Sequence, residues 1–157
     1  MNRYIALLLL LAVSAASFSA DARRPCYLVG DFEVFFDGTP VEGASASTFS
    51  VLDGGYAKDA WQVYFLGEKL AGASASTFKT LRDGYAADSW QVYFRGEPVK
   101  DASADSFSVM RHGYAKDRWN VYYLGTKIDG ASPDSFRVLR DGYAKDRWNT
   151  YHCGRRL

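Results

Sequence analysis

The stretch Tyr114–Gly125, which reads YAKDRWNVYYLG, decides the fold because the chain contains five versions of it. Its tryptophan recurs in steps of 29 residues, at Trp61, Trp90, Trp119 and Trp148, and Phe32 stands one step earlier. Such a period is typical of repeat proteins, in which each unit buries its apolar surface only against its neighbours. We therefore predict a single repeat domain over residues 23–157, with hairpin units that begin near residues 27, 56, 85, 114 and 143.

Apolar and polar residues alternate within each unit, which predicts β-strands. Since successive side chains of a strand point to opposite faces, Trp61, Val63 and Phe65 share one face, and Gln62 and Tyr64 share the other. We expect the tryptophan face to be the buried one. A short strand at each repeated Tyr-Ala precedes this segment, and a short return strand follows it.

Turn residues separate these strands. Leu66-Gly67 is typical of a two-residue hairpin turn because glycine adopts a positive φ without strain, and Asp37-Gly38 gives the same signal in the first unit. An aspartate that accepts local N–H groups in an Asx turn is expected before each tryptophan; these residues are Asp59, Asp88, Asp117 and Asp146. Between units, Ser132–Phe136 and its equivalents predict one or two helical turns. The fold class is thus all-β, with five three-stranded meanders joined by single helical turns.

Two cysteines lie at the two ends of the array, Cys26 before the first repeated tyrosine and Cys153 in the last unit. A disulfide requires Cα atoms within about 7 Å, whereas stacked sheets lie about 10 Å apart. We therefore expect a propeller-like closed ring, fastened by a Cys26–Cys153 disulfide. An open stack of units, with the cysteines apart, is the alternative.

The N-terminus carries an export signal. Arg3 precedes an apolar run, Ile5–Val13, that is too short to span a bilayer. Because Ala20-Asp21-Ala22 fits a small-residue cleavage site, we predict a signal peptide over residues 1–22, with a membrane anchor as the alternative. The mature chain is then expected in the periplasm, on the outer surface or outside the cell, without an integral membrane span. A formal net charge of +1 gives no electrostatic reason to expect a nucleic-acid partner.

Residues 115–139 carry the clearest copy of a motif that resembles the repeat of the DKNYY family of exported bacterial proteins. The copy reads AKDRWNVYYLGTKIDGASPDSFRVL, and the likeness extends from about Cys26 to Leu157. It departs from the family where Lys-Asn follows the aspartate, since Arg118-Trp119 stands there in this copy. The resemblance implies a repeat fold and an envelope or extracellular location. It implies no activity and no catalytic residue.

The sequence contains few residues that could act as catalysts or metal ligands. A nucleophile needs an adjacent base, and only His112 and His152 are available, the first in a loop and the second in the terminal strand. The two cysteines and two histidines lack the spacing of a zinc site. The repeated aspartates are candidates for calcium, but turn formation already explains them, and we prefer that interpretation. We predict no catalytic residue, no metal and no cofactor.

A ladder of aromatic residues opposite the tryptophan face is the candidate binding surface. It comprises Phe35, Tyr64, Tyr93, Tyr122 and Tyr151. The alternative, which we favour, is that these rings pack on the neighbouring unit with their hydroxyls in solvent. We therefore predict an exported, non-catalytic binding or structural module of the cell envelope or exterior, with an envelope glycan or protein as partner. The alternative is a carbohydrate- or polymer-acting enzyme with a site between repeats.

Overall fold

A computed structural model describes residues 26–157 as five small antiparallel sheets that follow one another along the chain. The predicted signal peptide, residues 1–22, lies outside the described residues. The strands are β1 (Tyr27–Val29), β2 (Val34–Phe36), β3 (Thr39–Pro40), β4 (Ser50–Val51), β5 (Tyr56–Lys58), β6 (Val63–Phe65), β7 (Glu68–Lys69), β8 (Lys79–Thr80), β9 (Tyr85–Ala87), β10 (Val92–Phe94), β11 (Glu97–Pro98), β12 (Ser108–Val109), β13 (Tyr114–Lys116), β14 (Val121–Tyr123), β15 (Thr126–Lys127), β16 (Arg137–Val138), β17 (Tyr143–Lys145), β18 (Thr150–His152) and β19 (Arg155–Arg156). We call the sheets unit 1 (β1–β3), unit 2 (β4–β7), unit 3 (β8–β11), unit 4 (β12–β15) and unit 5 (β16–β19).

Each unit is a meander in which every strand pairs with the next one along the chain. The all-β repeat architecture is confirmed, but units 2 to 5 have four strands rather than the predicted three. The additional strand follows the linker: Ser50 pairs with Lys58, and Val51 with Ala57. The residues between linker and tyrosine are thus extended and complete the sheet.

Each linker contains a single turn, and two of the four linkers have 3₁₀ geometry. The turns Ala46–Thr48 and Ala104–Ser106 join units 1 to 2 and units 3 to 4, and two more 3₁₀ turns, Asp53–Gly55 and Arg82–Gly84, lead into the tyrosine strands of units 2 and 3. Within residues 26–157 no helix has both the length and the apolar character needed to cross a membrane.

The hairpin turns have the predicted two-residue form. Leu66 has φ 49° and Gly67 has φ 84°, and two positive values define the type I′ turn, whose twist matches that of the flanking strands. The same pair of positive φ angles recurs in the four other units, at Asp37-Gly38, Arg95-Gly96, Leu124-Gly125 and Cys153-Gly154. These turns place one glycine backbone at the same corner of every unit.

The units stack face to face, so each internal sheet buries both of its faces. Tyr56 and Val63 of unit 2 lie on what we call the leading face, and they pack against Ala86 and Tyr93 on the trailing face of unit 3. The corresponding clusters join units 1 and 2, units 3 and 4, and units 4 and 5. The described chain therefore has four equivalent inter-unit cores.

The stack is open at both ends, so the predicted closed ring is not confirmed. Leu28 on the trailing face of unit 1 is 67% exposed, and Tyr143 on the leading face of unit 5 is 42% exposed. Closure would bury both. The last leading face also carries Thr150 and His152, where unit 2 has Val63 and Phe65, so it lacks the apolar surface that seals the internal interfaces.

The predicted Cys26–Cys153 disulfide is not formed either. Both cysteines are unpaired and exposed. They belong to the first and last units of an open stack, which explains why the stack keeps them apart.

Candidate binding surface

Four tryptophans, one in each of units 2 to 5, stand exposed on the surface. Their exposed fractions are 79% for Trp61, 83% for Trp90, 70% for Trp119 and 76% for Trp148, and Phe32 in unit 1 is 90% exposed. We call the four indoles the tryptophan row. The prediction that they are buried is wrong because β6 begins only at Val63. Trp61 lies in the turn before it, where the strand alternation does not apply.

A buried aspartate builds the turn beneath each indole. Asp59 Oδ1 accepts the N–H groups of Trp61 at 2.8 Å and Gln62 at 2.7 Å. Asp59 Oδ2 accepts the Ser45 N–H and the Tyr64 hydroxyl, both at 2.9 Å. The same four bonds recur at Asp88, Asp117 and Asp146. The predicted Asx turns are therefore confirmed, and each also fixes the linker and the central strand.

These carboxylates are held in the ionised form. Burial alone would raise the pKa of Asp59, but the hydrogen bonds from Ser45, Trp61, Gln62 and Tyr64 outweigh burial and lower the pKa below its usual value. At Asp146 burial also raises the pKa, but the equivalent hydrogen bonds again outweigh it, and the pKa falls to about 2. Because every oxygen already accepts two hydrogen bonds, the aspartates stabilise turns and have no oxygen free to act as a general base.

The tyrosines proposed as the binding surface lie inside the stack. Tyr64, Tyr93, Tyr122 and Tyr151 are at most 2% exposed, so an exposed tyrosine ladder is wrong. Their rings pack beside linker phenylalanines, as in the pair Phe49 and Tyr64 with ring centroids 5.5 Å apart. This is the packing of the alternative interpretation, except that the hydroxyls bond to aspartate rather than to solvent. Phe35 is half-buried in unit 1.

One sequence signal could have located this buried pair. Unit 1 has Phe35 in place of the tyrosine and, at the aspartate position, Gly30. The two partners of the hydrogen bond are thus replaced together in the only unit that lacks either of them. Paired replacement of this kind indicates contact between the positions, and it would have placed the tyrosine hydroxyl against a turn instead of in solvent.

The linker holds the turn under each indole from the other side. The Ala60 N–H donates to Thr48 Oγ1 at 3.2 Å, and Ser89, Arg118 and Arg147 donate equivalent bonds to Thr77, Ser106 and Ser135. Arg147 also places its guanidinium 5.9 Å from the Trp148 ring centroid, within cation–π range. Hydrogen bonds from two sides therefore fix the backbone under the row.

The histidines lie away from this row. His112 occupies a left-handed turn position with φ 56°, where unit 3 has Asp83 at φ 58°, and short polar residues and histidine tolerate this conformation best. The His152 ring packs 4.3 Å from that of Tyr143. Among residues 26–157 no group of three or more metal-ligating side chains is found.

Comparison with protein families matches one family model to most of the chain. The model of the DKNYY family covers residues 27–151, which run from the first tyrosine strand to the buried tyrosine of unit 5. Comparison with curated proteins and with solved structures gave no significant match. The matched segment contains all five repeats, from β1 into β18. The chain therefore belongs to the DKNYY family.

Proposed function

We propose that this chain is an exported, non-catalytic binding module, and that the tryptophan row contacts its ligand. The observation that carries the proposal is the regular exposure of four indoles, each between 70% and 83% accessible. Leaving large apolar rings in water forfeits about 25 cal/mol for each Å² that burial would remove. Rows of exposed aromatic residues are therefore typical of interaction surfaces.

The geometry favours a long ligand over a small one. Units 2 to 5 each contribute one indole, and stacked sheets lie about 10 Å apart, so one small molecule would contact only one or two rings. An extended polymer reaches several rings at once, and each further contact is then intramolecular and raises the overall affinity. An envelope glycan suits such a surface because the flat apolar faces of its sugars recur along the chain.

Export of the chain is part of the proposal. The signal peptide predicted over residues 1–22 supports it, and the periplasm, the outer surface and the exterior all contain extended glycans. A rigid row is an advantage for such a ligand because little conformational entropy is lost when the rings are already in position.

Removal of two central indoles tests the proposal. We expect the double variant Trp90→Ala, Trp119→Ala to bind envelope polysaccharide at least about tenfold more weakly, since tryptophans are frequent hot spots of binding, and to keep its melting temperature. Affinity electrophoresis through gels that contain the polysaccharide measures the loss. Val51→Ala removes an exposed apolar side chain outside the row and is the matched control. Unchanged retention of the double variant would overturn the proposal, and retention by envelope protein alone would favour a protein ligand.

A further inference from the structure

We propose that the two ends of the stack bind each other, so that unit 5 of one molecule docks on unit 1 of a second copy of this chain. The same contact already joins neighbouring units four times within the molecule. The inference concerns assembly and does not depend on what the tryptophan row binds.

A tyrosine clamp defines this contact inside the stack. The Tyr56 hydroxyl on the leading face of unit 2 accepts the Gly96 N–H at 2.9 Å and donates to the Gly84 carbonyl at 3.5 Å. Both glycines belong to unit 3. Tyr27, Tyr85 and Tyr114 make the same pair of bonds to the units that follow them.

Both halves of an unfilled clamp are present at the ends. Tyr143 occupies the tyrosine position in unit 5, and its hydroxyl has no hydrogen-bond partner within residues 26–157. In unit 1 the equivalent acceptor is the Cys26 carbonyl and the equivalent donor is the Gly38 N–H. A Cβ built on Gly38 meets nothing within 4 Å, whereas one built on Gly67 lies 2.8 Å from Phe36 of the preceding unit. An aromatic side chain of the preceding unit thus covers Gly67, whereas the equivalent space beside Gly38 is open.

Side chains that could pack accompany the clamp at both ends, although unit 5 offers less apolar surface than the internal leading faces. Leu28 and Phe35 occupy the positions of Ala57 and Tyr64, which are fully buried at the internal interface. The opposing surface in unit 5 consists of Tyr143 and the His152 ring packed against it. Because the leading face of unit 5 is also more polar than those inside the stack, the contact between molecules is weaker than the internal ones.

The occupant that fits each end is the other end of the same protein. A contact between two different surfaces of one chain is heterologous, and it continues into longer assemblies when the rotation does not close a ring. We therefore expect head-to-tail oligomers whose mass increases with concentration.

The cysteines provide a probe of this junction because both lie on the hairpin edge where the clamp forms. Cys153 opens the hairpin turn of unit 5, and its N–H donates to the Gly142 carbonyl at 2.9 Å. In unit 1 the Asp37 N–H donates to the Cys26 carbonyl at 3.1 Å, in the same arrangement. Head-to-tail docking brings these two edges together.

Analytical ultracentrifugation of protein purified after expression of the full-length chain, under reducing conditions, tests the proposal. We expect the average mass to rise with concentration. After removal of the reductant, a short bis-maleimide should link the exposed thiols into a ladder of multimers. Leu28→Asp and Tyr143→Asp should each remove association, whereas Leu124→Asp, which copies the turn residue Asp37 of unit 1, should keep it.

Mixing the two end variants gives the sharpest readout. Leu28→Asp retains an intact unit 5 and Tyr143→Asp retains an intact unit 1, so each alone should be a monomer and the mixture should form dimers and nothing larger. Melting temperatures near that of the unmodified chain show that both variants are folded. A monomer at all concentrations, or association that both variants retain, overturns the proposal.

Discussion

The hydroxyl of Tyr64 donates a 2.9 Å hydrogen bond to Oδ2 of Asp59, and both residues are buried. The tyrosine belongs to the central strand and the aspartate to the turn that carries Trp61. This bond therefore connects the core of a unit to the indole exposed on its surface. Equivalent bonds are present in units 3, 4 and 5.

Removal of one such hydroxyl should lower stability. Tyr151→Phe leaves Asp146 Oδ2 without the hydrogen bond that Tyr151 donates at 2.8 Å. Hydrogen bonds to charged groups contribute about 1.5–3 kcal/mol, so the free energy of urea unfolding should fall by about that amount. Tyr143→Phe is the matched control because the Tyr143 hydroxyl has no partner in the part of the chain that the structure describes. Equal losses from both substitutions would contradict the role of the bond.

The free energy of unfolding should depend on pH in the acid range because of the four buried aspartates. The folded pKa of each lies below its unfolded value, so the stabilisation is complete above the unfolded pKa and disappears as the pH falls through the folded one. With its pKa at about 2 instead of 3.8, Asp146 contributes roughly 2 kcal/mol that is lost between about pH 4 and pH 2. Melting temperatures across this range should fall steeply, and less steeply in Asp146→Asn. Parallel curves for the two proteins would refute the assignment.

The buried tyrosines should make the protein less stable as the pH rises, whereas the aspartates make it less stable as the pH falls. Burial, and then the charge of Asp88, raise the pKa of Tyr93 to about 12. A raised folded pKa gives stability that is present below the unfolded value of 10.0 and is lost as the pH rises through about 12. Absorbance at the tyrosinate wavelength should show these rings titrating together with unfolding. Their titration near pH 10 in the folded protein would show that they are accessible.

The hairpin glycines should differ in their tolerance of a methyl group. Gly38 and Gly96 have φ 82° and 83°, so alanine incurs a left-handed backbone cost of about 1–2 kcal/mol at either. A Cβ on Gly96 would also clash with Phe65 Cδ1, while nothing lies within 4 Å of one on Gly38. We expect Gly96→Ala to lower the free energy of unfolding by about 1–3 kcal/mol more than Gly38→Ala, the cost of overpacking. Equal effects would mean that the turn does not contact its neighbour.

Native tryptophan fluorescence should resemble that of indole in water. The row is exposed, so acrylamide should quench it strongly in the folded protein, with little further increase in urea. Trp90→Ala should change the free energy of unfolding by no more than about 0.5 kcal/mol, as expected for a surface residue. Weak quenching in the native state would instead place the rings inside the stack.

Local features of this fold could be predicted from the sequence because local chemistry determines them. The type I′ turn at Leu66-Gly67 needs two positive φ angles, and the Asx turn at Asp59 needs only its next neighbours. The orientation of Trp61 could not be predicted because it depends on where the strand begins. The burial of Tyr64 depends on a neighbouring unit that covers the face on which alternation places polar residues.

The choice between ring and stack was also beyond the sequence pattern. It depends on the small rotation from one unit to the next, which accumulates along the array and is not encoded in any single repeat. The exposure of Leu28 and Tyr143 shows that the two ends do not meet, and this exposure can be read only from the three-dimensional structure.

The equivalence of the four inter-unit cores has a consequence for how such genes change over time. Every junction presents the same leading face to the same trailing face, so the duplication or loss of a whole 29-residue segment leaves each remaining junction intact. Each such event lengthens or shortens the surface by a single indole. The number of exposed indoles is therefore a trait that recombination can change in single steps, without redesign of the fold.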